Sequence, residues 1–265
     1  TEKNAGSDAQ GVETTAEFKN GNWFINGSKL FIINGNSKIS RGLTVAAITG
    51  QREDGRKEIS AILVENDLPG ITSHTMKGKL VWRVANNADI KYNNVVVPKE
   101  NLLGEQGKGI HIMLKTIDNG RLSIAALGLG CAQGAFEMAT DYAVKRKQFG
   151  KSISEFQGVS FKLADMAMKI ETARNTLYNA CWMKDNGLDF SKQSAMARLY
   201  CSEIAREVTD EAIQIFGGAG LLRENHIERF YRDQCLLQIG EGTSEILRLV
   251  ISRKVLNDYE SKSSE

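Results

Sequence analysis

Two hydrophobic rhythms divide the chain. From about Phe18 to Pro98, short apolar and aromatic runs alternate with polar residues and are punctuated by Gly, Asn and Asp, the pattern of half-buried strands joined by tight turns. EFKNGNWFINGSKLFIING contains three Asn-Gly steps between such runs, a strong hairpin signature because both residues tolerate positive φ. LTVAAITG, EISAILVEND and ADIKYNNVVVP supply further strands rich in β-branched residues. Strands this closely spaced predict an antiparallel sheet or small barrel, since parallel pairs need longer crossovers. Pro98, one of only two prolines, closes this half.

After Gly109 the period changes from two to about 3.6. Ser160, Leu163, Ala167, Ile170, Arg174 and Leu177 recur at steps of three or four within a helix predicted over 157–180. Val159, Met166 and Ala173 widen its apolar stripe. Segments 110–146 and 192–216 read the same way, and a last helix starts near Thr243 and runs past Leu256. The final YESKSSE reads as a frayed polar tail. The fold class is therefore α+β and multidomain: an antiparallel sheet or barrel domain over 1–104, then a C-terminal four-helix bundle over 105–265.

Composition adds bounds. The chain has 265 residues, 42% hydrophobic and 25% charged, enough to bury a core. A net charge of +2 lacks the basic footprint of a nucleic-acid binder. No apolar run approaches the ~18 residues of a membrane span, and no signal-peptide pattern opens the chain. The four cysteines, Cys131, Cys181, Cys201 and Cys235, are widely separated and read as buried free thiols. His74, His111 and His226 form no metal-binding pair at helical spacing, so no metal is expected.

DNGRLSIAALGLGCAQGAFEMATDYAVKRKQFGKSISEFQGVSFKLADM, over 118–166, resembles the acyl-CoA dehydrogenases. TEKNAGSDA at the start, VPKENLLGEQGKG, QIFGGAGLLRE and GEGTSEILRLVISR follow that family's order and spacing across essentially the whole chain. The resemblance implies a FAD-dependent enzyme, short-chain or butyryl-CoA dehydrogenase-like, with a middle β domain and a C-terminal bundle. The opening stretch reads as the interior of a loop, and the family's N-terminal helical domain is expected to be missing.

Taken alone, RKQFG is a basic helix end stopped by Gly150. The resemblance implies that Arg146 reaches the FAD pyrophosphate of a neighbouring subunit, a task suited to a fixed fork of donors. It places Gln148 and Phe149 beside the cofactor, and gives Gln157 a contact with the dinucleotide. Paired glycines after an apolar helix are ordinarily a helix stop, but Gln214, Gly217 and Gly218 match residues against the ADP portion. No GxGxxG follows a strand, which disfavours a nicotinamide site.

On its own Glu241 is an acidic residue near a helix start. The resemblance makes it the base that takes the α-proton of an acyl thioester while the β-hydride goes to flavin N5. Such a base is expected to be buried, with its pKa raised toward working pH. Thr243 and Glu245 match FAD contacts, and Gly242 and Arg253 match positions on the acyl-CoA side. Thr1 matches a threonine on the isoalloxazine and Ser7 one near the thioester. Asp118 and Arg121 match residues of the acyl-CoA pocket, although a salt-bridged helix start explains them equally well.

Several positions depart from the family pattern. Phe31 and Ile33 lie where relatives have Trp-Ile-Thr or Trp-Ile-Ser on the flavin, and Ile33 cannot donate that hydrogen bond. Lys3 replaces a proline, Leu127 a glutamine, and Gly240 the tyrosine that often precedes the glutamate. The implied partners are acyl-CoA, an electron-transfer flavoprotein, and further copies of the chain in a homotetramer built as a dimer of dimers. Nucleic acid and membrane are not expected. The implied setting is fatty acid β-oxidation in a bacterial cytoplasm, or in the mitochondrial matrix if the source is eukaryotic. An acyl-CoA oxidase using oxygen, and a noncatalytic bundle relative acting in association or nucleic-acid binding, remain as alternatives.

Overall fold

The structure is a computed structural model and describes residues 1–263. The first Asn-Gly step makes a hairpin. β1 (Thr15–Lys19) and β2 (Asn22–Ile33) pair antiparallel through a turn in which Asn20 and Gly21 have φ of 52° and 79°, as a type I′ turn requires. Asn26-Gly27 instead lies inside β2, where the register slips between Ile25 and Gly27. Gly27 has φ 145°, and a Cβ there would meet Thr14 Oγ1 at 2.5 Å, so the bulge admits only glycine. Asn34-Gly35 forms a turn after β2 rather than a hairpin.

β3 (Gly42–Gln51), β4 (Lys57–Glu65), β5 (Ile71–Thr75), β6 (Asn87–Pro98) and β7 (Leu102–Leu103) complete a seven-stranded sheet of order β5-β6-β2-β1-β3-β4-β7. The expected antiparallel pairing holds between β1 and β2, β2 and β6, β3 and β4, β4 and β7, and β5 and β6, with one parallel contact added. β1 meets β3 in parallel at Thr15 and Ile48, and β5 and β7 are edges, so the sheet is mixed and open. The cause is connectivity: β3 adds to the free edge of β1 and so runs in its direction. Trp23 and Ile25, Val45 and Ala47, Ile62 and Val64, and Ile90, Tyr92, Val95 and Val97 form the core of this part. Each large apolar side chain buried there contributes about 1.5–3 kcal/mol.

α1 (Gly109–Lys145) buries Leu122, Ala125, Leu129, Ala132, Ala135, Ala139 and Ala143, a stripe at steps of three and four. By length and composition alone it is apolar enough to cross a membrane, although polar and charged residues such as Lys115, Asp118, Arg121 and Glu137 interrupt its apolar runs. The reason is its packing role: the alanines and glycines that let other helices approach also raise its apolarity. Lys147–Gln148 (β8) and Lys151–Ser152 (β9) then form a small hairpin. Phe149 and Gly150 occupy its turn with φ of 51° and 81°, so Gly150 is a hairpin residue and not the expected helix cap.

α2 (Gln157–Asp185) and α3 (Ser191–Phe216) share the second core with α1 through Met166, Ile170, Ala173, Leu177, Ile204 and Val208. Ala167, assigned to the α2 stripe by period, is exposed. Gly217, with φ 59°, caps α3 as expected. A short α4 (Ile227–Asp233) precedes α5 (Ser244–Ser263), giving four long α-helices and one short one among the described residues. The helix continues through Tyr259 to Ser263, so the expected frayed tail is largely helical; Ser264 and Glu265 lie outside the described residues. The chain divides into two compact units between Thr116 and Ile117. Of the four free cysteines only Cys201 is buried; Cys131, Cys181 and Cys235 are half-buried. Burial pushes the Cys131 and Cys201 thiols up to about 12, which leaves them inert as nucleophiles.

Candidate functional site

In the first unit, the opening loop is fastened by Glu2. Its carboxylate takes Lys29 Nζ at 2.5 Å, Thr14 Oγ1 at 2.6 Å and the Glu13 N–H at 2.6 Å. Lys29 Nζ also donates to the Ala46 carbonyl at 2.7 Å. Burial works to raise the Glu2 pKa, but the hydrogen bonds from Lys29, Thr14 and Glu13 outweigh it and hold it below the usual glutamate value. Burial lowers the Lys29 pKa, with Glu2 opposing. The Leu30 N–H donates to the Thr1 carbonyl at 2.8 Å, which sets Thr1 alongside the Leu30–Phe31 segment.

At Phe31 the β2–β6 register slips between Lys29 and Ile32. Phe31 has φ 60° and is 60% exposed, a conformation that costs a bulky residue of order 1–3 kcal/mol. Asn87 Nδ2 donates to its carbonyl at 3.2 Å. Ile33 is also exposed, and Ser7 is exposed in the opening loop. A cavity of about 120 Å³ in the same unit is lined by Thr1, Lys29, Ile32, Thr44, Tyr92 and Met113.

In the second unit, Gly240, Glu241 and Gly242 connect a 3-10 turn to α5. Glu241 sits in the left-handed region at φ 59° and is exposed. The expected burial of this carboxylate is thus not met within the unit, because the flanking glycines bring no side chain over it. Its Oε2 rests against Gly120 of α1, where an added Cβ would collide with it. Asp118 and Arg121 form an ion pair, but in the middle of α1 and not at a helix start. Thr243 caps α5, accepting the Ile246 N–H at 3.3 Å. Glu245, in the first turn, has its pKa lowered by its own backbone N–H and by Thr243.

Arg198 of α3 is a residue that the sequence reading missed. Its guanidinium is fully buried and donates from Nη2 to the carbonyls of Gly240 and Gly242, the latter at 3.0 Å. Nη1 donates to Ser202 Oγ at 3.2 Å. Burial pulls its pKa down to about 10, with Glu241 opposing and Arg121 adding to the fall, so it remains a cation at neutral pH. One signal was available: Ala195, Arg198, Ser202 and Ala205 lie at steps of three and four, so an arginine stands inside the buried stripe of α3.

The remaining positions are exposed. Arg146, Gln148 and Phe149 occupy the β8–β9 hairpin and its approach, and Phe149 is 93% exposed. Its ring meets Phe156 edge-on at 6.0 Å, and Gln157 opens α2 nearby in the chain. Gln214 is exposed in the last turn of α3, and no described residue beyond the chain neighbours lies within 4 Å of a Cβ added at Gly217 or Gly218. Arg253 is exposed on α5. These residues fit FAD. Phe31 and Phe149 offer open aromatic faces, Arg146 offers a fork of donors with no ion-pair partner among the described residues, and the bare backbone at Gly217–Gly218 admits a phosphate or ribose closely.

Residues 1–95 match the family model described as acyl-CoA dehydrogenase, middle domain, and residues 107–256 match acyl-CoA dehydrogenase, C-terminal domain. The Bacillus subtilis (strain 168) protein named probable acyl-CoA dehydrogenase YngJ is 47% identical over 97% of this chain and 67% of its own length. The structure of butyryl-CoA dehydrogenase from Megasphaera elsdenii superposes with a TM-score of 0.93 at 40% identity, covering 97% of this chain and 66% of that one. A structure titled PigA with FAD and proline does so at 0.90 and 32%, covering 96% and 66%. The chain spans about two thirds of the curated relatives it matches, 63–67% of their length. With both of its units matched by these models, the chain belongs to the acyl-CoA dehydrogenase family, whose cofactor is FAD.

Proposed function

We propose that the protein carrying this chain oxidises a fatty acyl-CoA to the trans-2-enoyl-CoA, with Glu241 as the base that takes the α-proton. The observation that carries this is the state of Glu241: a carboxylate presented between two glycines, exposed, with no described residue bonded to it. An α-proton of a thioester is weakly acidic, so removal needs a free carboxylate and a donor for the developing enolate oxygen. The Glu241 N–H has no acceptor among the described residues and can serve as such a donor. FAD, when bound, would supply the acceptor for the β-hydride.

The chain's own residues divide the remaining tasks. Thr1, Phe31, Ile33, Thr243 and Glu245 would line the flavin. Arg146, Gln148, Phe149, Gln157, Gln214, Gly217 and Gly218 would hold its dinucleotide, shared with another copy of the chain in a homotetramer. Ser7, Asp118, Arg121, Gly242 and Arg253 would face the acyl-CoA. The nearly full exposure of Phe149 supports a partner at that hairpin. The butyryl-CoA specificity named for the Megasphaera elsdenii relative supports a short acyl chain. An electron-transfer flavoprotein would reoxidise the enzyme in the cytoplasm or the mitochondrial matrix.

The test is anaerobic titration of the flavin-loaded full-length protein with acyl-CoAs of increasing length, following flavin bleaching. Stoichiometric bleaching by short acyl-CoAs is expected, and no bleaching by any acyl-CoA would overturn the proposal.

A further inference from the structure

We propose that Arg198 is the positioning residue of the base, its guanidinium clamping the carbonyls on both sides of Glu241 so that the carboxylate and the Glu241 N–H are presented together. The inference rests on the reading of Glu241 as the base.

A fully buried guanidinium is costly unless its charge is answered. Here the groups bonded to it are all neutral: Ser202 Oγ and the carbonyls of Gly240 and Gly242. Its Nε finds no partner among the described residues. The carboxylate whose charge answers it, Glu241, is held at one remove and not in an ion pair. The bonds to the two carbonyls span Glu241, whose φ of 59° is unfavourable for a residue with a side chain. Two charge-assisted bonds to the flanking carbonyls offset that cost and leave the loop one arrangement. In a trans peptide the C=O and N–H point in opposite directions. Binding the Gly240 carbonyl therefore turns the Glu241 N–H away from Arg198, and polarises it as a donor. Lysine would supply the charge as a single point on a flexible stem, while arginine's rigid plane aims Nη2 at both carbonyls and Nη1 at Ser202 Oγ.

The experiment uses the flavin-loaded full-length protein and four forms: wild type, Arg198→Met, Arg198→Lys and Glu241→Gln. Flavin content, melting temperature, acyl-CoA affinity and the single-turnover bleaching rate are measured for each. Arg198→Met is expected to slow bleaching about 100-fold, the scale of losing one aligned donor, while flavin content and acyl-CoA affinity stay within about threefold. Arg198→Lys is expected to recover most of the rate, remaining about three- to tenfold below wild type at unchanged melting temperature. A flavin-loaded Arg198→Met protein that bleaches at the wild-type rate overturns the proposal while leaving Glu241 as the base. If Arg198→Met does not fold, Arg198→Lys decides: a wild-type rate overturns the proposal, and a slower rate at unchanged melting temperature supports it. Wild-type bleaching by Glu241→Gln removes the base itself and overturns the proposal with it.

Discussion

Glu2 is 5% exposed and has Lys29, Thr14 and Glu13 donating to its oxygens, whereas Glu241 is exposed and its neighbouring cation, Arg198, binds the carbonyls beside it. Each carboxylate lies on a loop secured by a buried cation. In the first unit the carboxylate is itself the anchor, its oxygens saturated by donors from β2 and the loop. In the second the backbone is the anchor and the carboxylate stays free. The contrast separates a glutamate that holds a fold from one available for proton transfer.

The largest expected effects fall on opposite observables. Glu241→Gln should lower the bleaching rate by about 10³–10⁴-fold, the upper range for a general base, with little change in unfolding midpoint. Lys29→Met should do the reverse to the first unit. It leaves Glu2 buried and unpaired, so denaturant unfolding should show about 3–5 kcal/mol of lost stability. Replacing both partners, Glu2→Leu with Lys29→Met, should restore most of that loss, because no uncompensated charge remains.

Acid sharpens the same contrast. The Glu2 pKa is lower in the folded chain than in the unfolded one, so the stability it confers is fully present above the ordinary glutamate value. That stability is lost as pH falls through the lower folded value, because the unfolded chain takes up the proton first. Unfolding midpoints measured from pH 6 downward should therefore drop less steeply in Glu2→Gln than in wild type. The smallest effect is expected at Gly120. Gly120→Ala should raise helix stability by about 1 kcal/mol, read as a small rise in unfolding midpoint, because the flexible end of Glu241 can move off the new methyl group.

The helices were legible because alanine-rich stripes at steps of three and four extend over many turns, as from Leu122 to Ala143. The strands with β-branched runs were equally plain. β5 was missed because ITSHT is a short edge strand with little apolar signal. The parallel meeting of β1 and β3 depends on a long-range choice of edge that no local pattern encodes. At RKQFG, composition suggested a cap, yet Phe149 takes positive φ beside Gly150 and the pair forms a turn. In the site, Glu241 was located by its motif, but not its left-handed backbone or its exposure. Arg198 was overlooked because the carbonyls it binds lie more than forty residues along the chain, and only its place in the buried stripe of α3 marks it.

The most direct measurement is deuterium exchange at the α-carbon of a bound acyl-CoA in heavy water, followed by NMR in the flavin-loaded full-length protein under anaerobic conditions. Wild type should exchange the α-hydrogen, and Glu241→Gln, with acyl-CoA still bound, should not. Undiminished exchange in Glu241→Gln would contradict the assignment of Glu241 as the free, catalytic carboxylate.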